Sequence, residues 1–233
     1  MNILITGASQ GIGYELGKLL LSQGHTVWGV GRRNIEVPFI YSSCDVSNLK
    51  SVQSLRDNMR TKSFFPNIII INAAIFENDI HPNFNYERAR HVLNINLFGA
   101  LNVVEVFLPE MLTQKQGHLI AISSIAAFRP SQRGVAYSAS KAALGLLWRG
   151  LDLAYRNKNI IFSTIYLGPV ATTMWEGKKS FLVISSQTAA KYISHILRSK
   201  KSIAYIPFRS ALLYRLVFFI PDSWYRQIGK IIK

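Results

Sequence analysis

The sequence predicts an α/β fold with one doubly wound parallel sheet of about seven strands and helices on both faces. Short runs rich in β-forming residues alternate with helical patterns along most of the 233 residues. The run at residues 67–71 is almost wholly apolar, as is typical of a parallel strand buried on both faces. A glycine-rich turn joins the first strand to the first helix. Ligands of such sheets bind at the carboxyl ends of the strands.

The predicted elements follow one another without an internal repeat or linker. We predict strands at residues 3–6, 26–30, 39–44, 67–71, 118–123, 160–166 and Ile203–Ile206. We predict helices at residues 12–23, 87–112, 135–156 and 187–198, and one more that opens near Ser47 as its N-cap. These elements indicate one domain at residues 1–206, followed by a basic, aromatic and helical extension at residues 207–233.

Charge and cysteine content limit the classes of function. The formal net charge is +15, and residues 198–233 contribute +7 of it. This charge favours an anionic partner, such as a phosphorylated cofactor, an acidic protein, a lipid surface or nucleic acid. Cys44 is the only cysteine, so an intrachain disulfide is excluded and a reducing, cytoplasmic compartment is expected. We expect no metal site and no transmembrane helix, because the histidines lack ligand spacing and no apolar run reaches about 18 residues.

The turn after the first strand reads Thr6-Gly7-Ala8-Ser9-Gln10-Gly11-Ile12-Gly13. Glycines let the backbone approach a pyrophosphate, and the N-terminus of the next helix supplies N–H donors and a positive dipole end. The position of the turn between a strand and a helix predicts a dinucleotide site of the Rossmann type. A turn that is merely tight is the alternative.

The second strand ends in Gly31-Arg32-Arg33, without an acidic residue. In dinucleotide folds an acid near this point binds the ribose 2′-hydroxyl, whereas an Arg accommodates a 2′-phosphate. Arg32 and Arg33 therefore favour NADP(H) over NAD(H), unless they are solvated surface charges. Asn72-Ala73-Ala74 closes a buried strand at the ligand edge, which favours a cofactor role over that of a turn former.

Ser124, Tyr137 and Lys141 carry the predicted chemistry. Tyr137 and Lys141 are four residues apart and so lie one turn apart on one helix face. A lysine cation beside a phenol is expected to lower the pKa of Tyr137 from its ordinary value of about 10, which suits a general acid/base. Ser124 ends a strand, where its hydroxyl could hold a substrate carbonyl oxygen. For the Tyr–Lys pair alone, a solvated helix face is the alternative.

Together these motifs resemble the short-chain dehydrogenase/reductase family in its compact single-domain form. The resemblance extends from Met1 to about Thr172. It includes the turn at residues 6–13, Asp45 in Cys44-Asp45-Val46, Asn72-Ala73-Ala74, Asn96 in Ile95-Asn96-Leu97, Ser124, and Tyr137 with Lys141. The interval of 13 residues from Ser124 to Tyr137 is also typical of the family.

The resemblance implies a role for each matching residue. Tyr137 would be the acid/base, Lys141 would bind the nicotinamide ribose, Ser124 would polarise the carbonyl, and Asn96 would hold a water of a proton relay. Asp45 and Val46 would lie at the adenine. The implied cofactor-binding set is Gly7, Ser9, Gln10, Gly11, Ile12, Gly13, Arg32, Arg33, Asp45, Val46, Asn72, Ala73, Ala74, Tyr137, Lys141, Gly168, Val170 and Thr172. A homodimer or homotetramer through the helices at 87–112 and 135–156 is implied as well.

The sequence departs from the family in Tyr166-Leu167-Gly168-Pro169, where Leu167 replaces the usual proline. Leucine lacks the fixed φ of proline, so we expect a looser backbone there, without loss of cofactor binding. Apolar residues near the site predict a small hydrophobic substrate, an aldehyde, ketone or 3-oxoacyl group, unless some of them pack internally. They are Ile75, Phe76, Ala126, Ala127, Phe128, Leu167, Met174, Trp175, Phe181, Leu182 and Val183.

The tail at residues 207–233 mixes apolar, aromatic and basic side chains. This composition predicts attachment to an anionic membrane, and packing over the cleft or in an oligomer interface is the alternative. For the whole chain we predict an NADP(H)-dependent oxidoreductase that interconverts a carbonyl and an alcohol. The alternative is a non-catalytic NADP(H)-binding sensor or scaffold. We expect no nucleic-acid binding, which charge alone suggests and no motif accompanies.

Overall fold

The computed structural model describes residues 1–129, 133–172 and 183–207, together with Trp224. Its strands are β1 (Asn2–Thr6), β2 (Thr26–Gly31), β3 (Ile40–Ser43), β4 (Ile68–Ile71), β5 (Gly117–Ser124), β6 (Ile160–Leu167), β7 (Val170–Ala171), β8 (Ile184–Ser185) and β9 (Ile203–Ile206). Seven of them form one parallel sheet in the order β3-β2-β1-β4-β5-β6-β9, and β7 pairs with β8. The predicted seven-stranded parallel sheet is therefore confirmed.

Helices cover both faces of this sheet. They are α1 (Gly11–Ser22), α2 (Leu49–Thr61), α3 (Tyr86–Leu93), α4 (Gly99–Gln114), α5 (Val135–Tyr155) and α6 (Ser186–Ser199). On one face the core contains Trp28, Phe107, Trp148 and Phe162, and on the other it contains Ile3, Leu16, Leu20 and Ile193. Successive strand residues point to opposite faces, so one sheet contributes to both cores and the fold is doubly wound, as predicted.

The sheet order reverses at β1, which lies between β2 and β4. In doubly wound sheets the ligand crevice opens where the strand order reverses, at the carboxyl ends of the two strands. The turn at residues 6–13 follows β1, and Asn72 follows β4, so the fold brings these two motifs to the edges of the same crevice.

The structure corrects two predicted helix boundaries. Asn48 caps α2, because its side-chain oxygen accepts a hydrogen bond from the Ser51 N–H at 3.2 Å, whereas the predicted cap Ser47 donates its hydroxyl to Asp45 at 2.7 Å. The helix predicted at residues 87–112 is interrupted by the π-helical turn Asn94–Phe98 between α3 and α4. Single π-turns inside helices occur frequently at functional sites.

The backbone at Leu167, which we expect to be looser than with proline, is paired with a strand on both sides. Leu167 ends β6 in register with Ser124 on β5 and Ile206 on β9, and its side chain is buried in the core. The strand pairing on both sides fixes the backbone without a proline. Leu167 therefore packs into the core of the described part of the chain.

One helical segment of the described chain, Tyr86–Gln114, is long and apolar enough to cross a membrane by length and composition. About half of its most apolar part is buried in the protein. Its α4 part packs against α2 and β5, which is the position of a core helix in an α/β domain.

Several predicted residues lie outside the part of the chain that the structure describes. These are Met174, Trp175, Phe181 and Leu182 of the predicted pocket, the rest of residues 173–182, and the tail beyond Pro207 except Trp224.

Candidate active site

The glycine-rich turn is tied to the end of β4 by Asn72. The Asn72 amide nitrogen donates to the carbonyl oxygens of Thr6 and Gly7 at 3.1 and 3.0 Å. The Thr6 hydroxyl in turn accepts from the main-chain N–H groups of Asn72 and Ala73 at 3.0 and 3.1 Å. A Cβ atom on Gly13 would overlap the Gly7 carbonyl oxygen, so the turn closes this tightly only with glycine.

The N-terminus of α1 fits the pyrophosphate of a dinucleotide. Its N-cap Gln10 has an extended backbone and forms no side-chain cap within the described part of the chain, and the first turn contains no acidic residue. Gly11 has a φ of +59°. A Cβ atom added to it would stand 3.5 Å from the Thr172 methyl group, so Thr172 lies beside the turn. A helix N-terminus without a competing carboxylate favours a bound anion.

Arg33 lies beside this helix N-terminus, where its guanidinium donates to the Gln10 side-chain oxygen at 2.7 Å. The Tyr41 hydroxyl donates to the Arg33 carbonyl oxygen at 2.9 Å, and the Ser43 hydroxyl donates to that of Arg32 at 3.1 Å. A Cβ atom on Gly31 would stand 2.6 Å from the Tyr41 hydroxyl. A side chain at position 31 would therefore require the hydroxyl end of Tyr41 to move.

The structure brings Ser124, Tyr137 and Lys141 together at the carboxyl end of β5. Ser124 ends β5, and its side chain lies close enough to the Tyr137 phenol, in the first turn of α5, to influence the pKa of that phenol. The edge of the Phe76 ring packs against Tyr137, with ring centroids 5.5 Å apart. Lys141 lies one turn further along α5, and its ammonium donates to the Ile122 carbonyl oxygen at 2.8 Å.

Burial raises the pKa of Tyr137, and the Ser124 side chain opposes this increase. The decrease in the Tyr137 pKa that we expect from Lys141 is not found in the chain alone. The Lys141 ammonium is directed at Ile122 and lies 5.8 Å from the centre of the Tyr137 ring. Burial also lowers the pKa of Lys141 to about 8. Desolvation therefore disfavours the charged form of both side chains.

Asn96 lies in the π-helical turn and is buried. Its side-chain oxygen accepts from the Ile75 N–H at 2.8 Å, and its amide nitrogen donates to the Ile75 carbonyl oxygen at 2.9 Å and to the Ser140 hydroxyl at 3.1 Å. Ser140 donates to the Tyr137 carbonyl oxygen at 2.7 Å. Both N–H bonds of the Asn96 amide are thus used by the protein, and a water would have to be held by another atom of this residue.

The residues expected at the adenine follow β3. The Asp45 carboxylate accepts from the N–H and hydroxyl of Ser47 at 3.0 and 2.7 Å. Val46 is buried, and its carbonyl oxygen accepts from the Asn102 amide at 2.9 Å. These contacts fix the chain between β3 and α2 at the ligand edge of the sheet.

The other predicted residues divide between the crevice and the core. Gly168 donates its N–H to the Ile206 carbonyl oxygen at 2.7 Å, and Val170 pairs with Ile184. Phe128 packs against Tyr166 and Tyr205, with ring centroids 4.7 and 6.2 Å away, and is half-buried.

One buried carboxylate near the site, that of Asp79, was not predicted. It lies in an irregular segment with no recognisable motif, and it accepts hydrogen bonds from the first residues of α5, 56 and 57 positions away. No local pattern in the sequence could have indicated these contacts.

Comparison with known proteins identifies the family. The family model described as short chain dehydrogenase matches residues 1–182. Two similar enzymes are a fatty acyl-CoA reductase of Acinetobacter baylyi, 29% identical over 86% of this chain and 74% of its own length, and a 3-oxoacyl-acyl-carrier-protein reductase of Buchnera aphidicola, 29% identical over 82% and 80%.

Solved structures share the fold at low sequence identity. Levodione reductase superposes with a TM-score of 0.81 at 18% identity, covering 91% of this chain and 97% of its own. A 4-hydroxyisoleucine dehydrogenase in complex with NADH gives 0.79 at 21% identity, with coverage of 88% and 95%. With the family model matching more than three quarters of its residues, the chain belongs to the short chain dehydrogenase family of oxidoreductases.

Proposed function

We propose that this protein is an NADP(H)-dependent oxidoreductase that interconverts a hydrophobic carbonyl compound and its alcohol, with Tyr137 as the general acid/base. The observation that carries the proposal is the meeting of Ser124 and Tyr137 at the end of β5, beside a glycine-rich turn that fits a dinucleotide. A non-catalytic NADP(H)-binding protein on the same fold is the alternative, and it requires no such pair of hydroxyls.

A bound nicotinamide cofactor would supply or accept the hydride. The turn at residues 6–13 and the N-terminus of α1 would hold its pyrophosphate, and Lys141 would hold the nicotinamide ribose. Ser124 would donate a hydrogen bond to the substrate oxygen as negative charge develops there. Tyr137 would give its phenolic proton to that oxygen during reduction and take it back during oxidation. Because burial raises the pKa of Tyr137, the phenol carries its proton at neutral pH, which suits reduction.

Three observations support NADP(H) as the cofactor. Arg33 lies next to the N-terminus of α1, whose dipole already favours an anion. The Tyr41 hydroxyl fills the space that an acidic residue at position 31 would need. The net charge of +15 favours the more strongly anionic cofactor.

A hydrophobic substrate is supported by the surroundings of Tyr137 and by two relatives. The ring of Phe76 packs against Tyr137 and gives the described part of the site an apolar wall. The names of the Acinetobacter and Buchnera relatives place an acyl thioester among their substrates. We therefore propose an aldehyde, ketone or 3-oxoacyl group with an apolar chain.

We also propose that the protein forms a homo-oligomer through α5. Leu146 and Leu153 are 70% and 86% exposed on this helix. They are seven residues apart and so lie on one face, two turns apart. Burial of this face against a second copy would remove both leucines from water.

Replacement of Tyr137 tests the proposed function. Tyr137→Phe removes only the phenolic proton donor, so we expect unchanged NADPH affinity and a loss of turnover of about 100- to 10,000-fold. Turnover is measured as NADPH oxidation with a panel of aliphatic and aromatic aldehydes, ketones and 3-oxoacyl thioesters, and affinity by NADPH fluorescence. Tyr192→Phe, on the exposed surface of α6, is the matched control. Native turnover by Tyr137→Phe, or no turnover by the native protein, would reject the proposal.

A further inference from the structure

We propose that Asp79 is a positioning residue for Tyr137: its buried carboxylate holds the first turn of α5 and thereby sets the position of the Tyr137 phenol. This inference rests on the proposed function, because it assigns a role in the step that Tyr137 carries out. Asp79 does not contact the substrate oxygen itself and acts only through the helix.

The contacts of Asp79 converge on the start of α5. Its two carboxylate oxygens accept from the N–H groups of Val135 and Ala136 at 2.9 and 2.7 Å, and its own N–H donates to the Arg133 carbonyl oxygen at 3.1 Å. The side chain is fully buried. The first N–H groups of a helix have no partner inside the helix, and a carboxylate there also interacts favourably with the helix dipole. Tyr137 is the next residue after the two that Asp79 binds.

The helix cannot supply this cap from its own sequence. The residue at its N-cap position is Gly134, and a Cβ atom there would overlap the ring of Phe76. The cap must therefore come from another segment. The same Phe76 ring packs against Tyr137, so the segment from Phe76 to Asp79 contacts the catalytic helix at its first turn in two ways.

The other end of this segment is also fixed. Asn96 holds both the N–H and the carbonyl oxygen of Ile75, at 2.8 and 2.9 Å. Residues 75–79 therefore connect the buried π-helical turn to the first turn of α5. Loss of the Asp79 carboxylate would remove the partner of the Val135 N–H and of the buried Ala136 N–H, and would free the turn that carries Tyr137.

Lys141 is held by different contacts. Its ammonium donates to the Ile122 carbonyl oxygen and its carbonyl oxygen accepts from the Ser123 hydroxyl, both at 2.8 Å. These bonds anchor the second turn of α5 to β5 without Asp79. Removal of the Asp79 carboxylate should consequently affect the acid/base step and leave the cofactor site in place.

The test separates turnover from cofactor binding. Because misplacement of a catalytic group by about 1 Å can cost about 100-fold in rate, we expect Asp79→Ala to lower kcat about 10- to 100-fold. The Kd for NADPH, measured by fluorescence, and the KM for NADPH should stay at the native values. Asp79→Asn keeps one acceptor oxygen of the same shape and should restore part of the lost kcat. The carbonyl substrate is the panel compound with the highest native turnover.

Asp152 provides the matched control at the opposite end of α5. It is also a buried aspartate, which accepts from the Phe162 N–H at 3.0 Å and binds Arg156 and Ser202 at 2.8 Å. Asp152→Ala should lower the midpoint of thermal unfolding and leave kcat unchanged. A merely structural Asp79 would behave in the same way.

The outcomes are distinguishable. Native kcat in Asp79→Ala, or an equal loss of kcat in Asp152→Ala, overturns the positioning role. If Asp79→Ala does not fold, Asp79→Asn decides, with a reduced kcat at native NADPH affinity supporting the role and native kcat overturning it. If Tyr137→Phe turns over at the native rate, the proposed function fails instead.

Discussion

Among single residues, Arg33 is the one that we propose recognises the 2′-phosphate of NADP(H). Its guanidinium is exposed, bonded to Gln10, and adjacent to the N-terminus of α1. Its main chain is held by the Tyr41 hydroxyl, so the cation is presented from a fixed backbone. We propose that cofactor preference depends on this side chain, which is exposed beside the helix N-terminus.

This arrangement predicts a selective effect of Arg33→Ala. A hydrogen bond to a charged group contributes about 1.5 to 3 kcal/mol, so the KM for NADPH should rise about 10- to 100-fold, while the KM for NADH stays the same. The measurement is kcat/KM for both cofactors, with Arg56→Ala on α2 as the matched control because that arginine pairs with Asp57 at 2.8 Å. Equal kcat/KM for NADPH and NADH in the native protein would refute the preference.

For single residues, predictions from the sequence match the structure where the outcome depends on one local property. Gly7 and Gly11 have positive φ, which glycine adopts at little cost. Ser124 and Tyr137 do meet, because the end of a strand and the next helix share one edge of the sheet. The predicted decrease in the Tyr137 pKa is wrong for the chain alone. Burial and the orientation of the Lys141 ammonium, which set this pKa, depend on the packed site.

At the scale of secondary-structure elements, the titratable side chain of His118 on β5 is hydrogen-bonded to Ser163 on β6. Its ring nitrogen Nε2 lies 2.7 Å from the Ser163 hydroxyl, which donates to the Lys201 carbonyl oxygen at 2.6 Å. Burial lowers the pKa of His118 from 6.5 to about 4, and the nearby charges of Lys200 and Arg156 act in the same direction. Between about pH 4 and pH 6.5 the folded protein therefore keeps His118 neutral, whereas this histidine would be protonated in the unfolded chain.

The sign of the pH effect on stability follows from this difference. The unfolded chain binds the proton near pH 6.5 and the folded chain only near pH 4. The free energy of unfolding should therefore fall as the pH falls through this window, by about 2 to 3 kcal/mol between pH 7 and pH 4.5 from His118 alone. His118→Gln should show a correspondingly smaller fall in urea titrations at the two pH values. The exposed His195→Gln should keep the native dependence, and parallel curves for native protein and His118→Gln would contradict the prediction.

The helix predicted at residues 87–112 shows what hydrophobic periodicity does not predict, namely an interruption where two helices meet. Its apolar pattern was recognised, but α3 and α4 meet at the π-helical turn that contains Asn96. The extra residue of that turn accommodates the two bonds of Asn96 to Ile75, a partner 21 positions away. A pattern of hydrophobicity does not report such a local change in helical pitch.

In the whole molecule, positive charge accumulates toward the C-terminus, and we propose that the tail binds an anionic membrane surface. Residues 198–233 contribute +7 of the net +15. Trp224, the described residue of the tail beyond Pro207, is 67% exposed. Aromatic and basic side chains together favour the interface between lipid headgroups and acyl chains.

Deletion of residues 208–233 tests this proposal. The full chain should co-sediment with vesicles that contain phosphatidylserine, and co-sedimentation should fall at high salt because the attraction is partly electrostatic. The deletion variant should stay in the supernatant with unchanged NADPH affinity. Neutral phosphatidylcholine vesicles are the control. A full chain that remains unbound, or a deletion variant that binds equally well, would favour the alternative in which the tail packs on the protein.

The sequence by itself determined the doubly wound sheet, the glycine-rich turn, and the set of Ser124, Tyr137 and Lys141. Each depends on properties that act over a few residues, namely strand and helix periodicity, the freedom of glycine, and the spacing of one helical turn. Only the tertiary structure decided that Leu167 lies in the core, that Lys141 is directed at Ile122, and that Asp79 caps α5. These features depend on burial and on contacts between residues far apart in the chain, which exist only once the sheet has brought its edges together.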